Sequence, residues 1–179
     1  MNVELIWEGG RAVIALRADR ALASVNGFLS AIETTLCSRA RIYRATRSGG
    51  EASELPPIEV LQVGVADLLS DAEGAAIPKI QHEPTSTTGL RHRAGAVSLA
   101  RGPIGTAFGD FFVCMRDEPS LDEGGARSPD GAGFAVFGEV TEGLQALQAL
   151  HQSLLSDARP PRGMLTNPLP VTIRVEAGE

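Results

Sequence analysis

Hydrophobic and polar positions at the start of the chain follow a pattern that predicts a β-hairpin. Two short apolar runs, Asn2–Trp7 and Arg11–Leu16, flank a glycine-containing turn at Glu8-Gly9-Gly10. Such a turn suits two antiparallel strands. The pattern then changes, because apolar residues recur every three or four positions from Leu22 to Ile32. This spacing predicts an amphipathic helix with Asp19 as its N-cap.

The rest of the chain predicts six more strands, one more helix and two long loops. The loops, at positions 46–57 and 64–88, are polar and contain proline and glycine, and we expect little regular structure in the second. The spacing of apolar residues in Thr141–Leu155 predicts the helix. The strands are predicted at Ala40–Ala45, Ile58–Val63, Ala94–Ala100, Asp110–Met115, Phe134–Val140 and Leu169–Glu176. Eight short strands and two helices favour a mainly β fold, a closed eight-stranded antiparallel barrel capped by two α-helices.

Composition and charge narrow the choice of partner. The 179 residues are 43% hydrophobic and 21% charged, which is enough for one sizeable core, so we expect a single domain over residues 1–179. The net charge of −6 argues against a nucleic acid or an anionic membrane surface as the main partner. We expect a monomer. The N-terminus lacks the pattern of a secretion signal. We therefore expect the protein in the cytoplasm, or in the periplasm where a leader peptide has been removed.

The aromatic residues are concentrated in one stretch of the chain. Five of the six phenylalanines lie between His92 and Glu142, at positions 108, 111, 112, 134 and 137. Aromatic side chains bury large areas, and they also line many sites that bind a ligand with few polar contacts. This stretch therefore predicts a core and a candidate apolar pocket.

Residues that commonly carry metal or nucleophilic chemistry are scattered along the chain. The three histidines are far apart and are expected on the surface, so we expect no metal site: His82, His92 and His151. Ser98 and Asp122 could belong to a hydrolytic triad, but no hydrolase motif accompanies them. We expect Cys37 and Cys114 to be free thiols.

A series of motifs resembles one known family. IYR and LQVG are followed by GAVSLAR, DFFV, SLD and GFAVFGEVTEGLQAL. The first two resemble the Phe-His-Arg and Ile-Gln-Gly-Gly of the cyclophilin-type peptidyl-prolyl cis/trans isomerases, and the whole order resembles a divergent bacterial branch of that family. This resemblance covers nearly the whole chain. It implies a cyclophilin-like barrel that isomerises X-Pro bonds of proline-containing polypeptides during protein folding, with no metal and no cofactor.

The resemblance also implies which residues form the site. Arg44 of IYR would be the catalytic cation, and Gln62 of LQVG would bind the substrate backbone. Phe112 would form the floor of an apolar pocket that grips the proline ring. The other positions that match the substrate-binding site are Val60, Leu99, Ala100, Asp110, Leu121 and Phe134.

Several of these positions depart from the family pattern. Val60 and Leu99 stand where Phe and Met are usual, which predicts a roomier pocket. Asp110 stands where many members have Gln, and a carboxylate there could hold the Arg44 guanidinium or compete with substrate for it. Phe134 replaces a frequent His. Besides an active isomerase, the chain could thus be a proline-peptide binding or chaperone module with weak or no catalysis, or a structural domain of the same fold.

Overall fold

The strands account for most of the regular structure of this protein. A computed structural model describes residues 1–36, 39–48 and 55–176. Within these residues the strands are β1 (Asn2–Trp7), β2 (Gly10–Leu16), β3 (Arg41–Ala45), β4 (Val60–Gly64), β5 (Ala96–Leu99), β6 (Phe111–Cys114), β7 (Val136–Glu142), β8 (Ala158–Arg159) and β9 (Met164–Val175). All eight predicted strands are present, with β8 as a two-residue addition.

The strands form a closed ring. Antiparallel pairing runs in the order β1-β2-β7-β5-β6-β4-β3-β9, and β9 pairs again with β1. The short β8 pairs only with β9, outside this ring. The prediction of a closed eight-stranded antiparallel barrel is therefore confirmed. Closure leaves no free edge in the ring, so the backbone N–H and C=O groups of its strands find partners in neighbouring strands.

Two longer helices pack on the barrel, as predicted. The helix α1 (Leu22–Ala31) is continued by a π-helical turn, Ile32–Leu36, and buries Phe28 against the barrel core. The Phe28 ring contacts Phe111 and Phe137, with ring centroids 5.2 and 4.8 Å apart. The second long helix is Leu144–Leu154. It begins later than predicted because Thr141 and Glu142 continue β7, which pairs with β2 up to Glu142.

The predicted loop at 64–88 is more regular than its sequence suggested. It contains a 3₁₀ turn at Ala66–Leu68 and two short helices, α2 (Asp71–Ala76) and α3 (Thr85–Thr88), and the C-terminal helix Leu144–Leu154 is therefore α4. A capping box at Ser70 and Glu73 begins α2. The expectation of little regular structure was wrong here, because local capping and turn chemistry stabilise these short helices.

The N-terminus of α1 is capped by this same loop. The carboxylate of Glu83 accepts hydrogen bonds from the backbone N–H groups of Ala23 (3.3 Å) and Ser24 (2.7 Å), and from the Ser24 hydroxyl (2.6 Å). The predicted cap, Asp19, instead forms an exposed ion pair with Arg17. The prediction that Asp19 caps the helix was wrong, because the carboxylate of Glu83, which is distant in sequence, accepts from the free N–H groups in the first turn of the helix.

One of the two cysteines lies within the residues that the structure describes. Cys114 is a buried free thiol, and burial raises its pKa above the ordinary value. Cys37 and positions 49–54 of the first predicted loop lie outside the described residues. In the part of the chain that the structure describes, no helix is both long and apolar enough to span a lipid bilayer.

Replacing Glu83 by Gln should destabilise the protein, because the α1 N-terminus then loses its charged acceptor. We expect the free energy of unfolding to fall by about 1 kcal/mol in a urea titration. Asp19→Asn is the matched control, and it should leave the free energy of unfolding close to the wild-type value because its ion pair is exposed. An equal or larger loss for Asp19→Asn would contradict this assignment of the cap.

Candidate active site

A row of side chains crosses four neighbouring strands on the outer face of the barrel. Arg44 of β3 pairs with Gln62 of β4, Gln62 pairs with Phe112 of β6, and Phe112 pairs with Ser98 of β5. Residues directly opposite each other in antiparallel strands share one face of the sheet. The register therefore brings the predicted catalytic cation, the predicted glutamine and the predicted pocket floor into one row.

A β-bulge in β3 adds Tyr43 to this row. Ile42 pairs with Val63 and Arg44 pairs with Gln62, so Tyr43 is the extra residue between them. Such a bulge re-aims side chains that would otherwise alternate between the faces. As a result, both neighbours reach Gln62: Arg44 Nη1 donates to Gln62 Oε1 at 3.1 Å, and Gln62 Nε2 donates to the Tyr43 hydroxyl at 2.6 Å. Tyr43 was not among the predicted site residues.

Asp110 extends this series of hydrogen bonds beyond Tyr43. Its carboxylate accepts hydrogen bonds from the Tyr43 hydroxyl (2.8 Å) and from the backbone N–H groups of Val65 and Ala66 (2.9 Å each). Burial raises the pKa of Asp110, and burial together with the charge of Asp110 raises the pKa of Tyr43, which stays protonated. A Cβ at Gly64 would overlap the Asp110 carboxyl group, so this close approach requires glycine. Asp110 reaches Arg44 through Tyr43 and Gln62.

A loop between β8 and β9 also holds the guanidinium. Arg44 Nε donates to the backbone carbonyl of Arg162 at 2.6 Å. This contact joins positions 118 residues apart in sequence, and the motif IYR gives no signal for it. The Arg44 side chain is thus oriented from two sides, by a side-chain amide and by a main-chain carbonyl.

Most of the predicted pocket residues form one apolar cluster on the outer face. Val60, Phe112 and Leu121 are members of this cluster, and Ala100 and Phe134 pack against it. The remaining buried members are Ile58, Ala96, Cys114 and Val136. The Phe134 ring meets Phe112 edge to face, with centroids 5.6 Å apart. An apolar surface of this kind, next to the Arg44–Gln62 pair, matches what a pyrrolidine ring needs for burial.

Leu99 does not belong to this cluster. It packs in the interior core with Phe111 and Val113, and only 2% of its surface is exposed. The alternation of side chains along β5 turns Ser98 outward and Leu99 inward. The prediction that Leu99 lines the pocket was therefore wrong.

A buried polar triad supports Phe112 from behind. The His92 ring stacks on Phe112 with centroids 6.0 Å apart and 15° between the planes. Its Nδ1 lies 2.8 Å from Asp122 Oδ1, and its Nε2 lies 3.0 Å from Ser98 Oγ. Burial lowers the pKa of His92, so a neutral ring can donate to Asp122 while accepting from Ser98. Ser98 is fully buried, so this arrangement of hydrolase-like residues offers no substrate access to its hydroxyl.

The histidine prediction needs correction at two positions. His92 and His151 are buried, with 2% and 0% exposure, although both were expected on the surface. His151 Nε2 lies 2.7 Å from the carbonyl oxygen of Thr46, which gives this buried ring a partner. Satisfied hydrogen bonds make such burial tolerable.

Arg101, which was not among the predicted site residues, contacts Phe134 at the edge of the apolar cluster. The Arg101 guanidinium lies over the Phe134 ring, 5.0 Å from its centroid, and forms a two-point ion pair with Asp130 at 2.7 and 2.9 Å. The pairing with Arg101 lowers the pKa of Asp130. Arg101 therefore connects Asp130, which lies in the segment between Leu121 and Phe134, to the Phe134 ring.

A groove runs beside the row. Its lining includes Tyr43, Gln62, Ala100, Arg101, Thr106 and Asp110. The groove opens on the outer face, next to the apolar cluster.

Comparisons with known proteins point to one family. A family model described as cyclophilin type peptidyl-prolyl cis-trans isomerase/CLD matches residues 2–167. A peptidyl-prolyl cis-trans isomerase of Streptomyces antibioticus is 26% identical over 155 residues, which cover 83% of this chain and 82% of the relative. Peptidyl-prolyl cis-trans isomerase A of Dickeya dadantii is 23% identical over 174 residues, which cover 94% of this chain and 80% of the relative.

Solved structures show the same fold at lower identity. The crystal structure of a cyclophilin type peptidyl-prolyl cis-trans isomerase from Cryptosporidium parvum, determined in the presence of the dipeptide Ala-Pro, has a TM-score of 0.69 and 15% identity. The match covers 99% of this chain and 100% of that chain. From the family match over nearly its whole length, the chain belongs to the cyclophilin-type peptidyl-prolyl cis/trans isomerases and is an enzyme that interconverts the cis and trans forms of X-Pro bonds.

Proposed function

We propose that Arg44 is the catalytic residue of this isomerase and that the row Arg44–Gln62–Phe112 binds the X-Pro unit. The observation that carries this proposal is the direct register of the three residues across β3, β4 and β6. It supports a site in which a cation, a hydrogen-bonding amide and an apolar floor contact one proline residue together.

The chemistry of the X-Pro bond explains why a cation is needed. Conjugation makes the C–N bond partly double, and rotation about it has a barrier of about 18–20 kcal/mol. In the twisted amide the prolyl nitrogen regains a lone pair, which can accept a hydrogen bond. A guanidinium that donates to this nitrogen therefore stabilises the transition state more than either planar form, and the reaction needs no covalent intermediate.

The other residues would hold the substrate in position. Gln62 would bind the substrate backbone, and the apolar cluster would bury the proline ring on Phe112. We assign to this pocket the residues that pack together there, namely Val60, Ala100, Phe112, Leu121 and Phe134. The groove beside the row supports binding of an extended proline-containing polypeptide rather than of an isolated proline.

Removing the guanidinium should slow isomerisation of an X-Pro peptide. We expect Arg44→Ala to lower kcat/KM by about ten- to 150-fold, the value of one hydrogen bond to a charged donor. NMR exchange or a protease-coupled assay measures the rate. Arg47→Ala, an exposed arginine on the same segment, is the matched control and should keep the wild-type rate.

The same assay separates the isomerase from a binding module. Equal kcat/KM for Arg44→Ala and wild type would falsify the assignment of Arg44. Background rates for the wild type itself, with peptide binding retained in an NMR titration, would instead favour a proline-peptide binding module.

Two adjacent phenylalanines allow a matched test of the pocket floor. Phe112 faces the outer cluster and Phe111 the interior core. We expect Phe112→Leu to lower kcat/KM by about two- to tenfold through lost ring contacts, whereas Phe111→Leu should leave kcat/KM of the folded protein unchanged. Both variants should lose about 1 kcal/mol of unfolding free energy. The pocket assignment does not survive if Phe111→Leu lowers kcat/KM as much as Phe112→Leu.

A further inference from the structure

Four side chains on the outer face form one continuous chain of hydrogen bonds. Arg44 donates to Gln62 (3.1 Å), Gln62 donates to Tyr43 (2.6 Å), and Tyr43 donates to Asp110 (2.8 Å). Every bond has its donor on the Arg44 side and its acceptor on the Asp110 side. The chain therefore has a direction, with a permanent cation at one end and a carboxylate at the other.

The direction of the chain is set at the carboxylate end. Backbone N–H groups can only donate, and those of Val65 and Ala66 both point at Asp110, so the carboxylate acts there as an acceptor. The Tyr43 hydroxyl has a single proton, which it gives to Asp110. Tyr43 must then accept from the amide nitrogen of Gln62, which turns the amide oxygen of Gln62 towards Arg44.

Both members of the last hydrogen bond depart from the family pattern. Tyr43 stands where the family motif has His, and Asp110 stands where many members have Gln. The two replacements contact each other directly and are both buried, with 3% and 2% exposure. The nearby carboxylate of Asp67 is engaged separately, in an ion pair with Arg41. The two replacements therefore form a buried polar contact behind Gln62.

We propose that Tyr43 and Asp110 are positioning residues of this isomerase, which hold the amide oxygen of Gln62 towards Arg44 and so orient its guanidinium. The inference rests on the proposed catalytic role of Arg44. It gives Asp110 a positioning role in place of the predicted substrate contact, because this residue, although at the groove wall, is only 2% exposed and its carboxylate already accepts three hydrogen bonds. An unoriented amide could present its NH₂ group to Arg44, and two donors facing each other would push the guanidinium away.

Tyr43→Phe interrupts this chain of hydrogen bonds while leaving the side-chain volume nearly unchanged. It removes the only proton donor between Gln62 and Asp110, and we expect kcat/KM per folded molecule to fall by about two- to tenfold, the value of one hydrogen bond. The side-chain amide ¹⁵N resonance of Gln62 should shift as well. Glu83→Gln is the control, since it removes hydrogen-bonding capacity at a site outside this chain of hydrogen bonds, the cap of α1; it should change neither kcat/KM nor that resonance.

A double-mutant cycle separates positioning from a general loss of stability. Asp110→Asn should lower kcat/KM in the wild type but have no further effect on kcat/KM in Tyr43→Phe, because its influence passes through Tyr43. Its effect on the urea unfolding midpoint should persist in both backgrounds, because Asn keeps only one side-chain oxygen and one of the two backbone N–H groups, of Val65 or Ala66, loses its acceptor in each.

The outcomes distinguish this inference from the proposed function. If Arg44→Ala lowers kcat/KM while Tyr43→Phe leaves it at the wild-type value, the positioning role is overturned and the role of Arg44 stands. Independent, multiplicative effects of Asp110→Asn and Tyr43→Phe would also overturn it. If Arg44→Ala itself keeps the wild-type rate, both the proposed function and the positioning role are overturned.

Discussion

The register of β3, β4 and β6 is the constraint on which the rest of the site depends. In a closed barrel, a slip of one residue in any pair would turn outward side chains into the core. The bulge in β3 is the one place in these three strands where alternation is broken, and it puts Tyr43 and Arg44 beside the same residue, Gln62. The hydrogen bonds of Gln62 with Arg44 and Tyr43 thus follow from backbone pairing. No mobile loop is needed to bring these three side chains together.

Because isomerisation has no covalent step, its rate depends strongly on how firmly the residues of the site are held in position. A rate gain must come from groups already held where the twisted amide needs them, because an enzyme that reorganises during the reaction loses part of that gain. The proposed apolar floor and the proposed catalytic cation are each held in place by other groups of the protein. Phe112 rests on the His92–Asp122–Ser98 triad, and Arg44 is held by Gln62 and by the carbonyl of Arg162. Polar groups outside the proposed substrate contacts therefore define the geometry of Phe112 and Arg44.

The barrel could be predicted from the sequence, but several contacts of the site could not. Apolar runs and glycine turns are local signals, so all eight strands were predictable. The cap of α1 was not, because Glu83 lies 59 residues from Ser24. The run AVSL is apolar or small throughout and does not reveal which face Leu99 occupies. The bulge at Tyr43 depends on pairing with two other strands, and the pattern of a single strand does not contain that information. Burial of His92 likewise depends on partners that only the fold brings close.

A crystal structure with a bound X-Pro peptide tests the central claim most directly. The account predicts that the proline ring packs on Phe112, that the Arg44 guanidinium faces the prolyl nitrogen, and that Gln62 contacts the peptide backbone. A peptide bound with its proline away from Phe112 and Arg44 would contradict it.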